Sequence, residues 1–139
     1  MKKSNEELKE INKKISSVLK QLGISPNREG YWLLKDSIYI YLTKDVMKIK
    51  ITKDIYLELS KRYSKKTSAI EKSIRTTIEK GWTNCDLDFA NQMFSSTIPY
   101  NKDRPTNNEF ISTVSEYLSL ELWKRLQLYC NFFFSCAIM

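Results

Sequence analysis

The sequence contains no histidine. That absence excludes Ser-His-Asp and Cys-His nucleophilic centres, histidine-ligated zinc and imidazole pH switching. Glycine and proline number only three each, against average usage of about 7% and about 5%. Sandwiches and barrels need a turn every ~10 residues, so a helical protein is expected instead. Cysteine is equally scarce. Cys85, Cys130 and Cys136 are odd in number and form no Cys-x-x-Cys pair. Neither a disulfide framework nor a zinc cluster is expected, and a reducing, cytoplasmic setting fits. The lysines near the amino terminus have no apolar run behind them, so they do not read as a secretory signal. The least polar stretch, Leu126–Met139, would make a helix of only ~21 Å against a bilayer core of ~30 Å. No membrane span is expected. There is no phosphate-binding GxxxxGK loop and no activated nucleophile, so the expectation is a protein that is not an enzyme and holds no cofactor. Asp86 and Asp88 lack a third ligand and are expected to mark the start of a helix rather than a metal site.

What the chain has is positive charge, unevenly placed. Its 139 residues, the length of one domain, carry 23 basic and 16 acidic side chains, a net charge of +7. Residues 1–80 hold 19 basic and 10 acidic groups, a net of +9, and residues 81–139 hold 4 and 6, a net of −2. Such asymmetry points to a polyanionic partner on one face, the plain alternative being a well-solvated basic surface.

Apolar spacing organises the chain into helices. Ser4–Glu7 reads as a capping box, followed by Leu8, Ile11, Ile15, Val18, Leu19 and Leu22 at helical spacing, with Gly23 placed as a C-terminal glycine. A second helix is expected from Arg28 to Thr43, with Tyr31, Leu34, Ile38 and Leu42 on one face. Val46–Ile51 alternates apolar and basic residues and is read as a short helix or irregular connection. Lys53–Tyr63 is expected as a helix carrying Ile55, Leu57, Leu59 and Tyr63, and Ser64–Lys66 as a polar break. Ser68–Glu71 forms a second capping box opening a helix to about Gly81. Asp86–Phe94 is a shorter helix, Ser95–Pro105 a loop, and Thr106–Glu109 a third capping box before Phe110, Val114, Tyr117 and Leu118. The expectation is an all-α protein, a compact bundle of about six helices, with a domain over 1–122 and an apolar tail over 123–139.

The segment Lys53–Trp82, a short helix, a tight turn and a second helix, has the outline of a helix-turn-helix. At 100° per residue, Ile70, Ile74, Ile78 and Gly81 fall inward, while Ser68, Glu71, Lys72, Arg75, Thr76 and Glu79 face out. Residues 61–80 hold seven basic side chains against Glu71 and Glu79. Lysines around a helix start can grip phosphates. Lys72 or Arg75 can donate to guanine, and Glu71 can accept from cytosine. The plain alternative is an amphipathic surface helix with Glu71 and Arg75 as an i,i+4 ion pair.

Three segments carry a resemblance: Gly30–Ile38 (GYWLLKDSI), Ser68–Trp82 (SAIEKSIRTTIEKGW) and Arg104–Ile111 (RPTNNEFI). From about Ile11 to Glu121 the chain resembles the C-terminal DNA-binding domain of stage zero sporulation protein A, the response regulator of spore-forming bacteria. The resemblance implies a six-helix fold, sequence-specific regulation of sporulation-linked genes, head-to-tail pairing on tandem double-stranded DNA sites, and contact with RNA polymerase sigma subunits. By matched position its base readers fall on Ala69, Glu71 and Lys72, with Arg75 one turn on. Ala69 and Lys72 stand where the family carries arginine, so one base contact is absent and another loses its fork. Lys65, Lys66, Ser68, Thr76 and Lys80 are the expected phosphate contacts, and Phe94 and Ile98 the implied sigma contacts. Cys85 and Ser95 stand where the family often has glycine. The family's regulator also carries a receiver domain, for which the single helix expected before Gly30 leaves no room in this sequence. The rival reading is an interaction protein that keeps the fold and modulates a sigma factor or a full-length sporulation regulator. In the tail, Gln127, Asn131 and Ser135 leave a wide apolar face, expected to pack on the domain or a second subunit, the alternatives being a remnant of a truncated or frameshifted reading frame and a membrane-surface contact.

Overall fold

The expected helical segments form helices in the computed structural model, which describes residues 5–43, 51–94 and 104–138, with side chains described for all of these but 51, 52 and 123–138. Among the described residues the α-helices are α1 (Asn5–Gln21), α2 (Glu29–Thr43), α3 (Tyr56–Tyr63), α4 (Thr67–Trp82), α5 (Leu87–Phe94) and α6 (Asn107–Ile138). Ser4, Val46–Lys50 and Ser95–Asp103 lie outside the described residues. The all-helical expectation therefore holds across the described chain.

The apolar positions of α1 do what their spacing predicts, and Ile11, Ile15, Val18 and Leu19 are buried. Gly23 ends it with φ +79°. The Ile24 N–H donates to the Leu19 carbonyl at 2.9 Å and the Gly23 N–H to the Lys20 carbonyl at 3.0 Å, the paired bonds of a Schellman turn. A Cβ on Gly23 would lie 2.4 Å from the Gly81 carbonyl oxygen, so only glycine lets this turn sit on the end of α4. The Asp86 N–H, just before α5, donates to the Gln21 carbonyl at 3.1 Å and ties the same corner.

The second helix is the centre of the molecule. Gly30, Tyr31, Leu33, Leu34, Ser37, Ile38 and Ile40 are all buried, a wider set than the single face expected, because α1, α4 and α6 all pack on it. Its buried Ser37 hydroxyl donates to the Leu33 carbonyl at 2.7 Å, which leaves no unmet hydroxyl there. At Gly30 the helix presses directly on α4. A Cβ there would meet Thr77 Oγ1 at 2.0 Å and the Ser73 carbonyl oxygen at 2.5 Å.

Two local expectations need correction. The helix expected over Lys53–Tyr63 is two pieces, a π-helical turn Ile51–Ile55 and then α3. Consequently Tyr56 is buried beside Ile55 and Leu59, while Leu57 is 48% exposed. Ser68 is not a cap either. The helix begins a residue before it, at Thr67 after Lys66, which makes no side-chain cap bond. The end signals at Asp86 and Thr106 hold. Asp86 Oδ1 accepts the N–H groups of Asp88 at 3.1 Å and Phe89 at 3.3 Å, and Thr106 Oγ1 accepts the Glu109 N–H at 3.2 Å. Helix α6 buries Phe110, Ile111, Val114 and Leu118 and then continues unbroken to Ile138, so the expected division between 122 and 123 falls inside one helix.

Candidate nucleic-acid interface

The turn between α3 and α4 is closed by one side chain. The Ser60 carbonyl accepts the N–H of Ser64 and that of Lys65, while the Ser60 hydroxyl donates back to the Lys65 carbonyl. Ser64 sits in the left-handed region at φ 52°, ψ 43°, which reverses the chain in three residues and delivers Lys65 and Lys66 to the start of α4.

Helix α4 then divides as its sequence predicts. Ile70, Ile74, Thr77, Ile78 and Gly81 are buried. Ser68, Ala69, Glu71, Lys72 and Arg75 are exposed, and Thr76 and Glu79 are half-buried. Glu71 and Arg75 form the i,i+4 pair at 3.5 Å, with side chains 51% and 50% exposed. An ion pair this open to water is weak, so both groups stay free to exchange it for another partner.

One flank of α4 is braced. Asn107, the first residue of α6, donates from Nδ2 to the Tyr56 hydroxyl at 3.2 Å and to the Glu71 backbone carbonyl at 3.0 Å. Both amide hydrogens are thereby used. Burial pushes the Tyr56 phenol upward in pKa, so it stays a neutral hydroxyl. Arg104 pairs with Glu79 on the same flank. The conspicuous segment Arg104–Ile111 is thus a strut that fixes the exposed helix.

The opposite flank is open. Between it and the start of α2 runs a groove of about 730 Å³. Lys65, Lys66, Lys72, Thr76 and Lys80 line it together with Ala69, and Arg28 and Glu29 form the other wall. Four of the five expected phosphate contacts therefore gather in one place. Ser68, Glu71 and Arg75 stand outside it on the exposed part of α4. Ala69 contributes only a methyl group to the groove lining.

The implied sigma contacts are not brought to the surface together. Phe94 is 3% exposed, edge-on to Trp82 at 5.2 Å and tilted against Phe110 at 5.8 Å. Its ring is spent in the core and has no free face for a partner. Ile98 lies outside the described residues. Sequence reading missed Arg28, Glu29, Arg104 and Asn107. For the last two a signal existed, since both lie in the segment that carries the resemblance. For the first two there was none, because Glu29 and its partner Lys65 are 36 positions apart.

A short helix, a left-handed turn and a second helix with a cation-rich outer face define a helix-turn-helix DNA-binding domain. The family model described as Sporulation initiation factor Spo0A C terminal matches residues 15–118. The chain belongs to this family, one of DNA-binding regulatory domains in sporulation. No helix among the described residues is long and apolar enough to cross a membrane.

Proposed function

We propose that the chain is a sequence-specific transcriptional regulator that reads the DNA major groove with α4. Glu71, Lys72 and Arg75 meet base edges, and Lys65, Lys66, Ser68, Thr76 and Lys80 meet phosphates. The observation that carries this reading is the exposed face of α4: its three candidate base readers are open to solvent, while Asn107 ties the backbone of the helix to the start of α6. Readers on a braced helix lose little freedom on docking. Bases give the sequence information and phosphates set the register. The lysine at position 72 donates as a point charge, so discrimination at its base pair is weaker than an arginine fork would give.

A salt-series titration tests the reading, using a duplex with sporulation-regulator boxes in tandem and a scrambled duplex. Preference for the boxes, with affinity falling by about 0.9 log–log units per neutralised phosphate, is the expected result. Equal and weak binding to both duplexes at ordinary salt sinks it.

A further inference from the structure

The groove beside α4 gathers cations and holds one carboxylate of its own. Arg28, Lys65, Lys66, Lys72 and Lys80 all line it, and neighbouring like charges favour an anion among them. Among the described residues, only Lys65 has one. Its ammonium pairs with Glu29 Oε1 from the far wall, and that pairing holds the Glu29 carboxyl below the usual carboxylate range. The Glu29 side chain is otherwise 75% exposed, so it enters the groove from the rim and can leave by the same route. Arg28, Lys66, Lys72 and Lys80 pair with no carboxylate among the described residues. Ser73 and Thr76 add hydroxyl-bearing side chains to the α4 wall.

We propose that this groove seats one backbone phosphate of bound DNA, and that the Glu29 carboxylate is an internal substitute which that phosphate displaces from Lys65. The inference rests on the DNA reading above and extends its contact surface to α2, outside the helix-turn-helix. The chemistry is an exchange of one oxyanion for another on the same ammonium, since carboxylate and phosphate oxygens accept the same charge-assisted bonds. A phosphate also offers oxygens to Arg28, Lys66 and Lys80, which Glu29 leaves unmet. A carboxylate that remained in place would repel it, so Glu29 must swing out on binding and sets a fixed penalty on every duplex, whatever its sequence. The same seat would accept a phosphoryl group on a small free molecule, and the test separates the two sources.

Anisotropy titrations over a KCl series, with tandem-box and scrambled duplexes, give the first arm. Arg28→Ala is expected to lower the log–log salt slope by about 0.9, one phosphate, although Arg28 lies outside the helix-turn-helix. Glu29→Gln is expected to tighten both duplexes alike by about 1.5- to 5-fold, the weight of one exposed ion pair. In a Lys65→Gln background the same change should give no gain, which separates displacement from a mere change in net charge. An unaltered slope in Arg28→Ala, or a Glu29→Gln gain that survives the loss of Lys65, overturns the proposal. The second arm is a 15N–1H titration of the free protein with inorganic pyrophosphate. Shifts of the Glu29, Gly30 and Lys65 amides, saturating at lower pyrophosphate in Glu29→Gln, are expected. If no duplex binds and these amides shift, the DNA reading and the duplex as the source both fall. If duplexes bind normally and Arg28 and Glu29 have no effect, the seat falls and the DNA reading stands.

Discussion

Lys72 lies on the exposed side of α4 and also borders the groove, so its two candidate roles separate by substitution. As a base reader, Lys72→Ala should cost about 1–3 kcal/mol on the preferred duplex and little on a scrambled one. Equal losses would make it a phosphate contact. Ala69→Arg should tighten the tandem-box duplex, because position 69 is exposed beside Lys72 and has room for the longer side chain. Tyr63 makes a prediction about pH. Burial and its hydrogen bond to Asp36 push its phenol up to about 12. A folded pKa above the unfolded one means the contribution is complete below about pH 10 and is lost as pH rises towards 12. Titration of tyrosinate absorbance should therefore show a late-ionising ring, beside the also raised Tyr41 and Tyr56, that is missing in Tyr63→Phe. The stability advantage of the parent over that variant should shrink only above pH 10. Which residues of α4 face outward was legible, since 100° spacing alone sorts Ile70, Ile74 and Ile78 from Glu71, Lys72 and Arg75. The Tyr63–Asp36 and Lys65–Glu29 bonds were not, because each joins side chains far apart in sequence that no local period connects.

Among elements, the α3–α4 turn shows where sequence reading stops. The polar break at Ser64–Lys66 was legible, but serine gives no hint of a left-handed backbone, and here Ser64 adopts φ 52°. A β-branched side chain is a true outlier in that region. Ser64→Val should destabilise the fold by about 1–2 kcal/mol, and Ser64→Gly should not, as read from denaturant midpoints at constant m. Ser60→Ala should cost about 0.5–1.5 kcal/mol, since it takes the donor from the Lys65 carbonyl. The beginning of α3 was misjudged for a related reason. A π-helical turn over Ile51–Ile55 shifts the register and buries Tyr56, whose hydroxyl Asn107 then needs. Leu57 is apolar but exposed, so composition alone points to the wrong residue.

For the whole molecule, the charge imbalance between halves was a sound guide, since every cation of the groove falls within residues 28–80. The centrality of α2 was less legible. Its sequence shows one apolar face, yet four helices pack on it, and Gly30 is the reason α4 approaches so closely. Gly30→Ala should destabilise the protein by about 1–3 kcal/mol through overpacking. Because the same residue borders the groove, the variant should also weaken DNA binding in proportion to the separation it forces. Thermal unfolding read beside duplex titration checks both effects.

The corner where Gly23 meets Gly81 has a further consequence, for amide exchange with solvent. The turn after α1, the end of α4 and the segment opening α5 share one backbone junction, closed by the Asp86–Gln21 bond. None of the three can fray alone without breaking the others. The amides of Ile24 and Asp86, so distant in sequence, should exchange with one common opening free energy, as members of one cooperative unit. That energy should fall equally for both when Gly23 is replaced by alanine. Two separate rates responding differently would show that the corner opens in parts.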